Sequence, residues 1–497
     1  MVDKTWPDPS RTSGGGGRVA TRGPWVRPTP SWAAPEPPRA AGVRGAEWWR
    51  PERPVAGTPR PQSVAAPVSD APVPFWTLMA YLFTLMIAPQ SFFPALAPFR
   101  IALVTALAAV AAHLVHRLTR RQPVTIRSRE MWVTVCLTGW AIATMPLSYW
   151  PGGSISFFGE LYFKVLVTFW LLSNAVTTGR RIRQIVLALS LMAVPVAATG
   201  VDNYLTGTYL RVPGELVAGG LAPGELKRIA GYSSGLAGNP NDLALLLNLL
   251  LPLTWSLFLL SRRRAVRAAL VGVMLLAAAG VIVTFSRAGF LALATIIAVY
   301  LWKLRKRPEA GWAIVAVVAV LASLPFLPAG YLGHLSTITD IEADTTGSAQ
   351  LRWADQLSAV SFVIEHPIIG AGLGMNALAL NEVRGPRWLL VHNVYLQYAV
   401  DLGIPGLVLF LFLMAGCLKA VMVVQQRSAG VPHLREVFYL AEGMQVSLVV
   451  FMIAGFFLPA AYHYYFYILA GLSLAVRTAY EAEARNLELG AVEPDQA

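Results

Sequence analysis

The run LALLLNLLLPLTWSLFLL, residues 243–260, contains no charged residue. A stretch of this kind has about the length needed to cross the hydrocarbon layer of a bilayer as a helix, roughly 20 residues. In lipid the backbone has no water to bond, so it must satisfy its own amides, and only helices and closed barrels do so. Comparable runs recur about twelve times. They centre at 75–88, 101–115, 131–144, 161–173, 185–198, 243–260, 269–283, 290–302, 312–327, 395–416, 443–458 and 464–476. The recurrence predicts an all-α polytopic membrane protein of about 12 transmembrane helices. Composition agrees: 55% of residues are hydrophobic, 13% are charged and the mean hydropathy is +0.54. An ordinary soluble enzyme is excluded.

An even number of spans places both termini on one side, and the connections indicate which. HRLTRRQPVTIRSR (116–129), GRRIR (179–183), SRRRAVR (261–267), KLRKR (303–307) and the stretch carrying Lys419, Arg427 and Arg435 are basic. By the positive-inside rule they are expected to be cytoplasmic. The other connections then face outward, and two are long: 201–240 and about 330–391, the second with an amphipathic-helix pattern. The expected organisation is a disordered cytoplasmic Pro/Gly/Arg-rich tail over 1–70, a transmembrane domain over 71–480 and a cytoplasmic carboxy-terminal tail over 481–497. The first seventy residues hold no apolar core of signal-peptide length.

The net charge of +13 raises the question of nucleic acid. The basic residues, however, lie in short clusters between apolar runs, so topology accounts for them and no nucleic-acid partner is expected. The two cysteines, Cys136 and Cys417, both fall inside apolar runs and form neither a disulfide framework nor a CxxC site. No HExxH, GxxxxGK[ST] or strand-flanked DxD occurs. Asp340, Glu342 and Asp344 in TDIEADTTG read as solvated acids, so no metal and no cofactor is expected.

Several polar residues stand out on the outward side. Arg287 lies in TFSRAGFLAL, between two spans, where positive charge is disfavoured; it reads equally as a snorkelling turn arginine. Arg228 opens RIAGYSSGLAGNPNDLALLL, whose NPN, with Asn241, is turn and helix-start chemistry. Arg352 lies in SAQLRWADQLSAVSFVIEHPIIGAGLGMN, on a helix expected to lie across the surface, where a solvated arginine is the plainer reading. His392 begins HNVYLQYAVDLG; Asn393 fits a helix cap, Tyr395 and Gln397 follow, and Asp401 sits one turn beyond Gln397. Arginines hold diphosphate oxygens in bidentate fashion, and a near-neutral imidazole takes a proton from an attacking hydroxyl. Together they suit displacement of a lipid-linked diphosphate by an alcohol.

The series RIAGYSSGLAGNPNDLA, TFSRAGF, LRWADQLSAVSFVIEHPIIGAGLGMN and VHNVYLQYAVDLGIPGLVLF resembles the O-antigen ligase and polymerase superfamily, over roughly residues 160–415. The resemblance implies a metal-independent, inverting glycosyltransferase. It would move a glycan from a polyprenyl (undecaprenyl) diphosphate carrier to a sugar hydroxyl at the outer face of the cytoplasmic membrane, in the assembly of O-antigen, exopolysaccharide or capsule. It assigns diphosphate binding to Arg287 and Arg352, and with less force to Arg228, and gives His392 the role of acceptor-activating base or substrate-positioning group. Asp401 stands where that family often has glutamate.

The donor lipid, a glycan or lipid-linked sugar acceptor, membrane lipid and envelope export machinery are the partners this implies. A transporter or flippase is the rival class. It would keep ionisable groups near the midplane, whereas Arg100, Glu160, Arg287, His392 and Asp401 fall toward outer ends of spans. Lys164 is the exception, one turn from Glu160, with which it can pair. A non-catalytic assembly scaffold is a third reading.

Overall fold

The computed structural model describes residues 71–211, 215–218, 229, 231, 232, 235–305, 307, 311, 315, 318 and 348–492. The expected tail over 1–70, Arg228, the span at 312–327 except residues 315 and 318, the acids of TDIEADTTG and the last five residues lie outside them.

The described helices are α1 (Pro72–Ile87), α2 (Ile101–Thr119), α3 (Arg129–Thr144), α4 (Pro151–Phe157), α5 (Phe163–Ala175), α6 (Gly179–Leu205), α7 (Pro240–Leu260), α8 (Arg264–Val283) and α9 (Arg287–Leu304). They continue as α10 (Ser348–Glu365), α11 (Asn376–Arg384), α12 (Val394–Ser428), α13 (Arg435–Ala454) and α14 (Tyr464–Val492). The molecule is an all-α polytopic membrane protein, apart from one hairpin: β1 (Thr208–Arg211) pairs antiparallel with β2 (Glu215–Ala218) inside the first long connection. Among the described residues, nine helical segments are long and apolar enough to cross a bilayer. The 16-residue α3 and the tyrosine-rich, charge-ended α14 fall outside that measure, though both coincide with expected spans.

The bundle centres on α7, which packs against α6, α8, α9 and α13 and is buried along nearly its whole length. That explains its lack of one-sided patterning: a helix surrounded by other helices is apolar all round. By contrast α2 and α8 leave broad apolar faces exposed, as helices at a lipid boundary do.

The two ends of the bundle differ in chemistry. At one end Arg117 donates to the Asn174 carbonyl at 2.9 Å, Arg183 pairs with Glu436 at 3.3 Å and Arg435 donates to the Leu259 carbonyl at 3.2 Å. Arg477 grips both oxygens of Glu130 at 2.9 Å each. Glu442 is buried between Arg307 at 3.0 Å and Lys303 at 3.5 Å. This end therefore gathers the basic connections read as cytoplasmic. The other end joins the remaining connections: Tyr232 donates to the Ile87 carbonyl, Tyr149 N–H to the Ala371 carbonyl and Val394 N–H to the Gly455 carbonyl.

One local expectation is corrected. Glu160 and Lys164 form no ion pair; both are exposed. Residues Phe158–Tyr162 form a π-turn, whose extra residue per turn changes the register on which an i,i+4 pairing depends.

Candidate functional site

The Ser-Arg turn is built by α7. Asn239 caps α7, its side chain accepting from Asn241 N–H at 3.0 Å and Asp242 N–H at 2.9 Å. Asn241 then accepts from the Ser286 hydroxyl at 3.0 Å, and the same Ser286 oxygen caps α9 by accepting Gly289 N–H at 3.1 Å. Deeper in α7, Asn248 donates to the Gly289 carbonyl at 3.0 Å. Two turns of α7 thus fix the first turn of α9, and Arg287, half-buried, is its first residue. A cation there opposes the helix dipole, an arrangement worth about 0.3–1 kcal/mol against folding. Helix capping alone gives this turn no reason to carry an arginine.

Arg352 lies near the start of α10, which packs on α11 and α12. One turn on, Asp355 is buried in an ion pair with Arg384 of α11 at 2.8 Å. The chain then returns along 385–391 to His392. Asn381 accepts from the backbone N–H of both Arg387 and Trp388 at 3.0 Å, and Arg384 donates to the Leu389 carbonyl.

His392 is half-buried, with Nδ1 3.0 Å from the Leu390 carbonyl. A carbonyl only accepts, so Nδ1 carries the proton, and in the neutral ring Nε2 is the basic nitrogen. Asn393 caps α12 as expected, accepting from Tyr395 N–H at 2.9 Å and Leu396 N–H at 3.1 Å. The Tyr395 hydroxyl donates to the Met452 carbonyl at 2.7 Å and so ties α12 to α13. Gln397 and Asp401 do not act together: Gln397 accepts from Ala461 N–H, while Asp401 is wholly buried against Asn376.

About three turns after His392, α12 is broken. Gly403 adopts φ 67°, ψ −174°, and Pro405 has no N–H to give the Asp401 carbonyl. The HPIIGAGLG segment bonds to the interrupted backbone. Ala371 N–H donates to the Val400 carbonyl at 2.7 Å, Gly372 N–H to the Asp401 carbonyl at 2.8 Å, and the Pro367 carbonyl accepts from Ile404 N–H at 2.7 Å. The Leu402 carbonyl accepts from Trp140 Nε1 at 2.8 Å. Gly370, at φ 71°, packs so closely that a Cβ would lie 2.5 Å from the Val400 carbonyl oxygen. The two motifs on either side of His392 are therefore one hydrogen-bonded unit.

Arg287, Asn241, Arg352, His392, Asn393, Tyr395 and Asp401 thus lie on elements that meet at one end of the bundle. Lys303 of α9 bonds to Gln445 of α13 near the basic end; α9 runs parallel to α7, meeting it at Asn241–Ser286 and Pro252–Tyr300, and α13 antiparallel to it, at Leu249–Ser447 and Leu259–Arg435, so α9 and α13 run antiparallel. Arg287 is thereby carried to the level of Gly455, where α12 starts. His463 and Tyr462, in the connection before α14, reach the same end and had no motif to single them out. Burial lowers the His463 pKa, favouring the neutral ring. Tyr462 is also buried; burial first, then the Asp401 charge, keep its hydroxyl protonated. Among the described residues no group of three or more His, Cys, Asp or Glu is placed to hold a metal ion.

No curated protein matches the chain. Residues 272–411 match the family model described as O-antigen ligase. The matched segment runs from α8 through the break in α12. It contains Arg287, Arg352, Asn376, His392 and Asp401, and leaves Arg228 and Asn241 outside. The match supports the O-antigen ligase and polymerase superfamily for this segment.

Proposed function

We propose that the protein transfers a glycan from a polyprenyl diphosphate carrier to a sugar hydroxyl at the outer face of the cytoplasmic membrane, with inversion and without a metal. The observation that supports this reading is that the elements carrying Arg287, Arg352 and His392 meet at the end of the bundle opposite the basic connections. Arginines on that side suit an anionic ligand. Guanidinium groups match the paired oxygens of a diphosphate whose lipid tail stays in the bilayer.

In the transfer, the acceptor oxygen attacks the anomeric carbon from the face opposite the diphosphate, and its proton passes to Nε2 of His392. The bond from the anomeric carbon to the diphosphate oxygen breaks, and its electron pair leaves with the carrier. Arg287 and Arg352 take up the charge released there. Arg228 is assigned to the same diphosphate on its place before the NPN segment. Asn393 and Asn241 hold the two turns that carry His392 and Arg287, and Tyr395 fixes the first turn of α12.

The test is donor consumption in proteoliposomes given a polyprenyl-diphosphate-linked glycan and a sugar acceptor, with chelator present. Wild type is expected to form product, and His392→Ala and Arg287→Ala to lose it while remaining folded. Movement of the lipid across the bilayer without donor consumption would replace this reading with a flippase.

A further inference from the structure

We propose that Asn376 is a positioning residue for this transfer: it links the break in α12 to the peptide plane that aims His392. The inference rests on the role given to His392 above.

Asn376 is the first residue of α11 and is 1% exposed. Its Nδ2 donates to both oxygens of Asp401, at 3.2 and 3.1 Å. Its Oδ1 accepts from Val391 N–H at 3.2 Å. The orientation of the amide follows from its partners, because turning it over would set oxygen against carboxylate and N–H against N–H. Asp401, 0% exposed, is itself held by the break, where its carbonyl receives Gly372 N–H at 2.8 Å.

Val391 N–H and the Leu390 carbonyl belong to one planar peptide unit and point to opposite edges of it. One edge is held by Asn376. The other accepts Nδ1 of His392 at 3.0 Å. A rotation of this plane would withdraw the carbonyl from the imidazole and release both its tautomer and its direction. A buried carboxylate therefore acts on a half-buried imidazole it does not touch, through one side-chain amide and one peptide. Outer groups that orient a metal-bound histidine typically contribute about 10–100-fold to activity, and the same scale is expected for this one.

The test exchanges the pair. Asn376→Asp opposes two carboxylates, and Asp401→Asn sets an amide N–H group against the Asn376 N–H group and loses the charge-assisted bonds. In the double variant the two side chains trade roles: the amide, now on α12, donates to the carboxylate, now on α11, whose second oxygen still accepts Val391 N–H. We expect kcat to fall about 10–100-fold in Asn376→Asp, with the donor KM nearly unchanged, and the double variant to recover most of that loss. Amide hydrogen exchange on the purified full chain is expected to accelerate over residues 388–393 in Asn376→Asp and to return toward wild type in the double variant.

If His392→Ala is inactive while Asn376→Asp keeps its kcat, or if the double variant is no better than the single one, the positioning role is overturned and the transferase reading stands. If His392→Ala transfers at the wild-type rate, both fall. Should Asn376→Asp fail to accumulate as folded protein, the double variant decides alone: folded, active protein supports the inference and its absence overturns it.

Discussion

With Nδ1 engaged by a backbone carbonyl, the imidazole of His392 presents Nε2 as its basic atom, so a substitution that keeps one nitrogen in the wrong place is no rescue. On the proposed mechanism, loss of His392 as general base is expected to cost about 10²–10⁴-fold in kcat. His392→Gln should therefore be nearly as inactive as His392→Ala, with donor binding retained; single-turnover assays with labelled donor separate the two effects. Arg287 invites a subtler substitution. Lysine keeps the charge and loses the planar fork, so Arg287→Lys is expected to retain weak donor binding and to lower kcat/KM by roughly one to two orders of magnitude. Equal activity of the two proteins would show that only charge is needed there. Arg287 and His392 stand out as candidates in the sequence because an arginine on the side read as outward and a histidine before a helix cap are both out of place for a lipid-facing chain. Asn376 was not legible: at the end of GAGLGMN it reads as one more turn residue. Its two partners lie 25 and 15 residues away along the chain, and no local pattern connects them.

The broken helix is the element on which the site depends. Gly403 combines φ 67° with an approach to the Ile368 carbonyl that no Cβ can share. Gly403→Ala is expected to cost at least about 1–3 kcal/mol from the backbone alone, visible as a lower melting temperature in detergent, and to reduce transfer activity further by displacing Asp401. The same substitution at Gly272, whose surroundings are open, is the control and should leave both unchanged. The glycines and Pro405 announce a break in the sequence, and HPIIGAGLG announces a turn. What they do not announce is that each supplies the other's missing hydrogen bonds, since Ile404 reaches back to Pro367 and Trp140 reaches α12 from α3 across 262 residues.

Across the whole molecule, the end remote from the site is held by ion pairs that sequence separation conceals. Glu130 and Arg477 are 347 residues apart. Glu442→Gln leaves Lys303 and Arg307 without their buried partner and is expected to destabilise by roughly 3–5 kcal/mol, with activity per folded molecule unchanged; thermal melts and turnover on the surviving fraction test both halves. A second prediction concerns pH. Glu483, beyond the membrane-crossing part of α14, has its pKa raised from 4.5 to about 7, first by burial and then by Glu436. The folded state therefore holds this proton where the unfolded chain has lost it, so stability falls as pH rises from about 4.5 to about 7. Glu483→Gln should flatten that slope in melts taken across the range. The order of the spanning helices among the described residues was legible because the hydrocarbon thickness sets a minimum apolar length for each; which helices touch, and through which charges, is set by three-dimensional packing that no window of sequence contains. The stitched break in α12 finally bears on how the chain is made. Its exposed carbonyls would be costly in lipid if their partners arrived late. Trp140 and the 366–372 segment both precede the break in the chain, so the ribosome delivers every donor before the helix that needs it. Order of synthesis is thereby part of what allows a helix with an open joint to enter the membrane.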